Sequence, residues 1–198
     1  MKKTSFSYDK IEDYKLLKEI FIQANENFLK NELELIITNV SETSLCGALK
    51  AHMEKQIQDD KFDGYHIDIE YNRNNGNIKT IIDDGCKVLS VKCDYILHSR
   101  GHHVEQDNLL ALEMKKAYRR KQEKDADRNR LIALTKSTYN NDVWSYDGVT
   151  FPEYVCRYII GIYYEVDYRK GKILLEFYRQ GKLEETKLIK LPITMRNR

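Results

Sequence analysis

Proline is nearly missing from this chain of 198 residues, with only 2, and glycine is sparse at 9. A chain so poor in both is neither fibrous nor a disordered tether, and its 41% hydrophobic content is enough to fill a core. Cysteine is scarce as well. Cys46, Cys86, Cys93 and Cys156 include no C-x-x-C pair and have no histidines at a zinc-finger interval. At this length a disulfide framework is unnecessary, so reduced thiols in a cytosol are expected. No long apolar run exists. The longest stretch, Tyr158 to Tyr164, is far too short to span a bilayer, and Ser5, Ser7, Asp9 and Lys10 interrupt any leader-like start after Met1-Lys2-Lys3. A soluble intracellular protein without membrane contact is expected. Charge of one sign is also lacking. With 33 basic and 31 acidic side chains, any affinity for a polyanion must come from a local patch rather than from the global field.

The periodicity predicts a single mixed α/β domain. Ile11, Leu16, Leu17, Ile20, Phe21, Ala24, Phe28 and Leu29 predict a helix over 10–37, an N-terminal helical appendage within residues 1–40. Ser41 is placed to cap a second helix running to about Gln58. His66 to Tyr71 alternates as a half-buried strand should, and Asn74-Asn75-Gly76-Asn77 reads as a hairpin turn before a short strand over Lys79 to Ile82. Val88 to His98 and Asn108 to Lys115 predict two longer strands, paired antiparallel across a loop of nine residues, Ser99 to Asp107. A charged helix follows from Ala117 to about Thr138. After turn-like Asn140 to Asp147, strands are expected over Tyr154 to Val166 and Ile173 to Arg179, a C-terminal hairpin around Lys170-Gly171-Lys172.

The segment Leu109-Leu110-Ala111-Leu112-Glu113-Met114-Lys115-Lys116 is the most informative. It is an apolar strand ending in Glu-x-Lys. Residues two apart on a strand share a face, so Glu113 and Lys115 point the same way from a buried strand end, where unpaired charge is costly. An acid, any residue and a lysine also occur at Asp13-Tyr14-Lys15, Asp59-Asp60-Lys61 and Glu185-Thr186-Lys187. The first two read as solvated helix or turn positions and the last as an exposed edge. Only Glu113 ends an apolar strand and has an acid on the strand before it. The hairpin sets Asp94 opposite Leu112 or Glu113. Two carboxylates that close repel unless a cation lies between them. Oxygen donors suit Mg²⁺ or Mn²⁺, with Asp94, Glu113 and the Met114 main-chain carbonyl as candidate ligands and Lys115 to orient or activate water.

Asp94 and Glu113-Met114-Lys115, with eighteen residues between the two acids, resemble the signature of the restriction-endonuclease-like, PD-(D/E)xK, nuclease superfamily. The resemblance extends to Glu70-Tyr71-Asn72-Arg73, Asp94 to His98, Asn108 to Lys116 and Asp127-x-x-Arg130-Leu131-x-x-Leu134-Thr135, a series found in small bacterial or phage-type members. It covers residues 41–135, about half the chain, and leaves 1–40 and the C-terminal strands of 140–198 unmatched. Cys93 stands where the family often has proline. The resemblance implies a mixed β-sheet core flanked by helices and divalent-metal-dependent hydrolysis of phosphodiesters, in DNA ahead of RNA. It implies a further acid from the first core helix, for which Glu42 is the candidate, both catalytic and metal-holding. Some members of the superfamily are inactive, so the alternative is a nuclease-fold module that binds nucleic acid or a protein partner, or that forms a homodimer.

Residues 113–130 hold eight basic and four acidic side chains. Of these, Lys116, Arg119, Arg120 and Lys121, together with Arg73, are candidate phosphate contacts. The competing expectation is a solvated helix face laced with i,i+4 pairs. Tyr118 could stack a base, although packing is the plainer role, and His98, His102 and His103 are expected to be surface residues rather than a zinc site.

Overall fold

A computed structural model describes residues 5–70, 73–74, 77–78, 80–82, 88–90, 93–137 and 156–192. Cys86, Trp144 and the turn expected over Asn140 to Asp147 lie outside the described residues.

Four helices and ten strands follow one another along these residues: α1 Ile11–Asn31, α2 Leu33–Ile37, α3 Glu42–Glu54, β1 His66–Ile69, β2 Arg73–Asn74, β3 Asn77–Ile78, β4 Thr80–Ile82, β5 Val88–Ser90, β6 Tyr95–His98, β7 Asn108–Lys116, α4 Lys121–Leu134, β8 Ile160–Asp167, β9 Lys172–Arg179 and β10 Lys182–Lys190. Six strands form one mixed sheet in the order β1-β6-β7-β8-β9-β10. All neighbours are antiparallel except β7 and β8. That parallel pair needs a crossover, and α4 lies on it.

The sheet separates two apolar layers. On one side Leu110, Leu112 and Met114 of β7, with Ile162 and Tyr164 of β8, meet Leu17, Phe21, Ala24 and Phe28 of α1 and Leu45 and Leu49 of α3. On the other, Ile96, Ala111, Tyr163 and Tyr178 meet Leu131 and Leu134 of α4. Strand β7 is covered on both faces, which explains its near-continuous apolar run. The N-terminal helix belongs to the larger core and is not an appendage.

Several boundaries depart from expectation. The helix expected over 10–37 breaks at Glu32, whose N–H bonds back to Phe28 O, and the short α2 turns Ile36 into the core. Ser41 caps α3 as expected, its Oγ accepting from Ser44 N–H at 3.0 Å, but the helix stops at Glu54. The β-run expected over Val88 to His98 is two strands, β5 and β6. Strand β5 pairs with β4, whereas β6 joins β1 and β7. The loop after β6 has the expected nine residues. Helix α4 begins only at Lys121, because Ala117 and Arg119 are held in a turn by bonds to Val166 O and Lys116 O. The expected C-terminal hairpin is extended by a third strand, β10, whose outer edge is exposed.

Helix α4 approaches the sheet over Gly161. A Cβ there would lie 3.0 Å from Thr135 Cγ2, 3.3 Å from Tyr178 Cβ and 3.4 Å from Leu131 Cβ. Those are stiff, backbone-proximal atoms that cannot swing aside. Gly161→Ala is therefore expected to destabilise the fold by about 1–3 kcal/mol, the usual cost of overpacking. A urea melt checks this: the midpoint should fall with the slope unchanged.

Candidate functional site

The ladder between β6 and β7 pairs Tyr95 with Leu112 and Ile96 with Ala111. Continued by one residue, it sets Asp94 across from Glu113. Ile96 and Ala111 both belong to the α4 side, and positions two apart share a face, so Asp94, Glu113 and Lys115 are all on that side. Asp94 Oδ2 accepts from the Met114 N–H at 2.6 Å, which ties the two strand ends together. The Glu70 N–H, in a left-handed turn with φ of 53°, donates to Asp94 O at 3.1 Å.

Glu113 is 2% exposed. Its counter-charge comes from α4: Arg130 Nη1 lies 2.6 Å from Glu113 Oε1 and 3.2 Å from Asp127 Oδ1. Asp127 Oδ2 in turn lies 3.0 Å from Lys115 Nζ. The order Glu113–Arg130–Asp127–Lys115 alternates in sign, joining the strand to the helix through buried charge.

Burial pushes the Glu113 carboxyl up to about 8, against the pull of Arg130 and with a push from Asp94. Burial likewise pushes Asp94 up to about 6, opposed by the Met114 N–H and Lys115 and assisted by Asp127 and Glu42. For Lys115 burial acts downward, but the Asp127 carboxylate, with Asp94 and Glu42 behind it, outweighs that and raises its pKa above the ordinary value. Lys115 is therefore an ammonium, paired with Asp127.

Glu42 opens α3 and reaches the end of β7 from the opposite side. Its Oε1 accepts from the Lys116 N–H at 2.9 Å and from Arg119 Nε at 3.2 Å. Asp94 senses its charge, but Glu42 is satisfied by a main-chain donor and a guanidinium.

Each basic residue of 113–130 has a polar or charged partner. Arg120 meets Glu123, Lys121 meets Asp125, Lys124 lies 3.3 Å from Glu165, and Arg128 Nε lies 2.8 Å from Glu176 while its guanidinium stacks 4.0 Å from the Tyr163 ring. Lys116 is buried and donates to Asn39 O at 3.0 Å, so it does not belong to an exposed phosphate face. Arg119, Arg120 and Lys121 remain at the surface, and Tyr118 beside them is half-exposed. Arg73 lies in β2, where the backbone alone is described.

Sequence reasoning missed Glu165, Tyr163 and Glu176 on the same face, because the α4 crossover that brings β8 beside β7 has no short-range signal. The register Glu113↔Tyr163 and Lys115↔Glu165 places them. It also misjudged two other features. Asp13 is 4% exposed and meets Lys61 Nζ at 2.7 Å, so two of the discarded acid-x-lysine triplets supply halves of one ion pair. His98 is buried, 3.0 Å from Asp68, rather than a surface residue, whereas His103 is exposed as expected and stacks on Tyr65 with ring centroids 4.6 Å apart.

Among the described residues, no three histidine, cysteine or acidic side chains group closely enough to hold a metal by themselves. The oxygens at Asp94 and Glu113 nonetheless suit one kind of ion. Mg²⁺ is bound through one or two carboxylates and keeps several waters. Asp94 and Glu113, at opposed register positions, could supply such carboxylates once deprotonated. Comparison with protein-family models, with characterised proteins and with solved structures finds no match.

A pKa raised by folding means that the native state binds more protons than the unfolded one, so stability falls as pH rises. For Glu113 the favourable contribution is complete below about 4.5 and is lost as pH rises through about 8; for Asp94 the corresponding window runs from 3.8 to about 6. Thermal melts in EDTA are expected to show a decline in melting temperature across pH 5–8, and Glu113→Gln should flatten it. An undiminished decline in that variant would place its origin elsewhere.

Proposed function

We propose that this protein is a divalent-metal-dependent nuclease that hydrolyses phosphodiester bonds, in DNA ahead of RNA, on a restriction-endonuclease-like core. The observation that carries the reading is the juxtaposition of Asp94 with Glu113 and Lys115. Acids on neighbouring strands face the same side, and the lysine two residues on is held as an ammonium by Asp127. Context supports it further: β7, which carries Glu113 and Lys115, is the buried centre of a mixed sheet with helices on both faces.

In this reading Asp94, Glu113 and the Met114 carbonyl hold Mg²⁺ or Mn²⁺, with Glu42 at the rim. The ion, when bound, activates water and neutralises charge on the scissile phosphate. Lys115 donates a hydrogen bond to the attacking water or to a phosphate oxygen, positioned by Asp127. Arg130 belongs to the resting charge balance, since it already shares itself between Glu113 and Asp127. In this reading Arg119, Arg120 and Lys121, exposed around the N-terminus of α4, track the backbone of the substrate.

One observation favours the alternative, an inactive nuclease-fold module that binds nucleic acid or a protein. Every acid of the site already has a protein donor within hydrogen-bond distance. An ion must therefore share Glu113 with Arg130 or displace it, whereas a binding module needs neither.

The two readings separate on purified protein. With Mg²⁺ or Mn²⁺ the melting temperature should rise, because a ligand of the native state stabilises it by mass action. Asp94→Ala combined with Glu113→Ala should abolish that shift. Lys115→Ala should keep the shift and DNA binding while cleavage falls by about 10² or more, the usual scale for a positioned electrostatic or acid–base group. Equal metal-induced shifts in wild type and double variant would refute the site. Binding without cleavage of single-stranded, duplex and flapped DNA would favour the module. A second measurement addresses the surface. Neutralising Arg119, Arg120 and Lys121 should shallow the dependence of log K on log salt by up to about 0.9 for every phosphate no longer neutralised.

A further inference from the structure

Among the described residues, strand β10 is a free edge of the sheet, nine residues long, Lys182–Lys190. It is exposed over nearly all its length, and it carries Leu183 and Leu188, 51% and 54% exposed, among the largest exposed apolar side chains described. A bulge between Leu183 and Glu185 places one extra residue, Glu184, in this strand. Its partners on β9 therefore fix the ladder order as Lys182, Leu183, Glu185, Thr186, Lys187, Leu188, Ile189, Lys190.

That order is nearly self-complementary about Thr186. An antiparallel second copy of β10, related by a two-fold axis through Thr186, sets Thr186 against Thr186. It sets Glu185 against Lys187 twice, and Leu183 against Leu188 twice. Lys182, with its aliphatic stem, falls opposite Ile189. The Thr186 pair and the two Glu185–Lys187 pairs are favourable directly opposed pairs, and the two leucine pairs bury apolar area. The faces agree as well. Leu183 and Leu188 stand opposite Tyr178 and Leu174, and Glu185 and Lys187 stand opposite Phe177 and Leu175, so like faces meet like across the axis. Without the bulge, Glu184 rather than Leu183 would face Leu188. The irregularity thus sets an apolar pair where a charge would otherwise fall.

We propose that the chain forms an isologous homodimer by antiparallel pairing of β10 with β10, joining two six-stranded sheets into one. The inference is independent of the nuclease reading. Lysines and a bulge are also what a guarded edge uses to stay single. The difference lies in pattern: a guard needs repulsion against its own copy, whereas here each Glu185, which is half-exposed and bonded to Lys18 of its own chain, also finds a Lys187 across the axis. Strand pairing alone is a small interface, so a reversible dimer is expected, with a dissociation constant in the micromolar range or above.

Sedimentation velocity of the full chain over a concentration series tests this. Wild type should pass from monomer to dimer as concentration rises. Glu185→Lys and Lys187→Glu should each replace two opposite-charge pairs with two like-charge pairs and raise the dissociation constant by about tenfold or more. Mixed in equal amounts, the two variants should dimerise again, because both cross-strand pairs are then of opposite sign. Melting curves of the variants establish that each is folded. A wild type that stays monomeric at all concentrations overturns the proposal. A dimer that neither single variant weakens, or a mixture that fails to recover, does so equally, because the interface would then lie elsewhere.

Discussion

Glu113 and Lys115 put two ionisable groups on the buried central strand of a sheet, and much of the architecture follows from the partners they need there. A carboxylate that is 2% exposed cannot rely on water. Its counter-charge comes from Arg130, seventeen residues onward, on a helix that must therefore lie directly over the strand. Asp127, one helical turn earlier, accepts both Arg130 and Lys115. The crossover helix is fixed at one end by this alternation and at the other by apolar contact of Leu131 and Leu134 with Tyr163 and Tyr178. Gly161 is the price of that closeness, for no side chain fits between β8 and the helix.

The two faces of the sheet consequently differ in kind. The side under α1 and α3 is almost wholly apolar, with an occasional internal bond such as that from Tyr164 Oη to Asn25 Oδ1 at 2.8 Å. The side under α4 is layered. Its apolar part lies under Leu131 and Leu134 at the helix C-terminus, and a run of paired charge lies under the turns before them, where Lys124, Arg128 and Arg130 meet Glu165, Glu176 and Glu113. A helix of such low apolar content would not fold alone. It is held because the sheet beneath it presents acids at matching positions. The excess basic charge of this segment is largely local compensation for β7, β8 and β9, with Arg119, Arg120 and Lys121 left at the surface.

Strands with a clear period and a punctuated end were legible in the sequence. The β6–β7 hairpin followed from two apolar runs and a loop bounded by Ser99 and Asp107, and with it came the opposition of Asp94 and Glu113. The Ser41 cap was equally plain, because a hydroxyl three residues before a free N–H has only local requirements. Features that depend on a distant partner were not legible. The break at Glu32 has neither glycine nor proline to mark it. Asp13 looks solvated until Lys61, forty-eight residues away, is placed beside it. His98 reads as a surface residue because the acid that receives it, Asp68, is on a different strand. Strand β10 shows no alternation of burial to betray it, being exposed on nearly every residue. Its pairing came from β9, a neighbour that a tight turn at Gln180 and Gly181 delivers.

A buried charge cluster is weak evidence of selection for stability. Well-packed apolar residues of similar volume are often as stabilising or more so, whereas an ion pair with one member missing costs about 3–5 kcal/mol. A strand that reads Leu109, Leu110, Ala111, Leu112 could continue in the same vein, and α4 would then need only an apolar stripe. Instead Glu113, Lys115, Asp127 and Arg130 are kept together at the strand end nearest Asp94, with both acids of the hairpin held above their ordinary range. An arrangement that is costly in the resting protein, and whose cost a bound cation would lower, is what the proposed nuclease reading accounts for. The same reasoning does not reach Lys61 with Asp13 or Arg100 with Asp68. In each of those a single acid meets its counter-charge, so a structural role is sufficient.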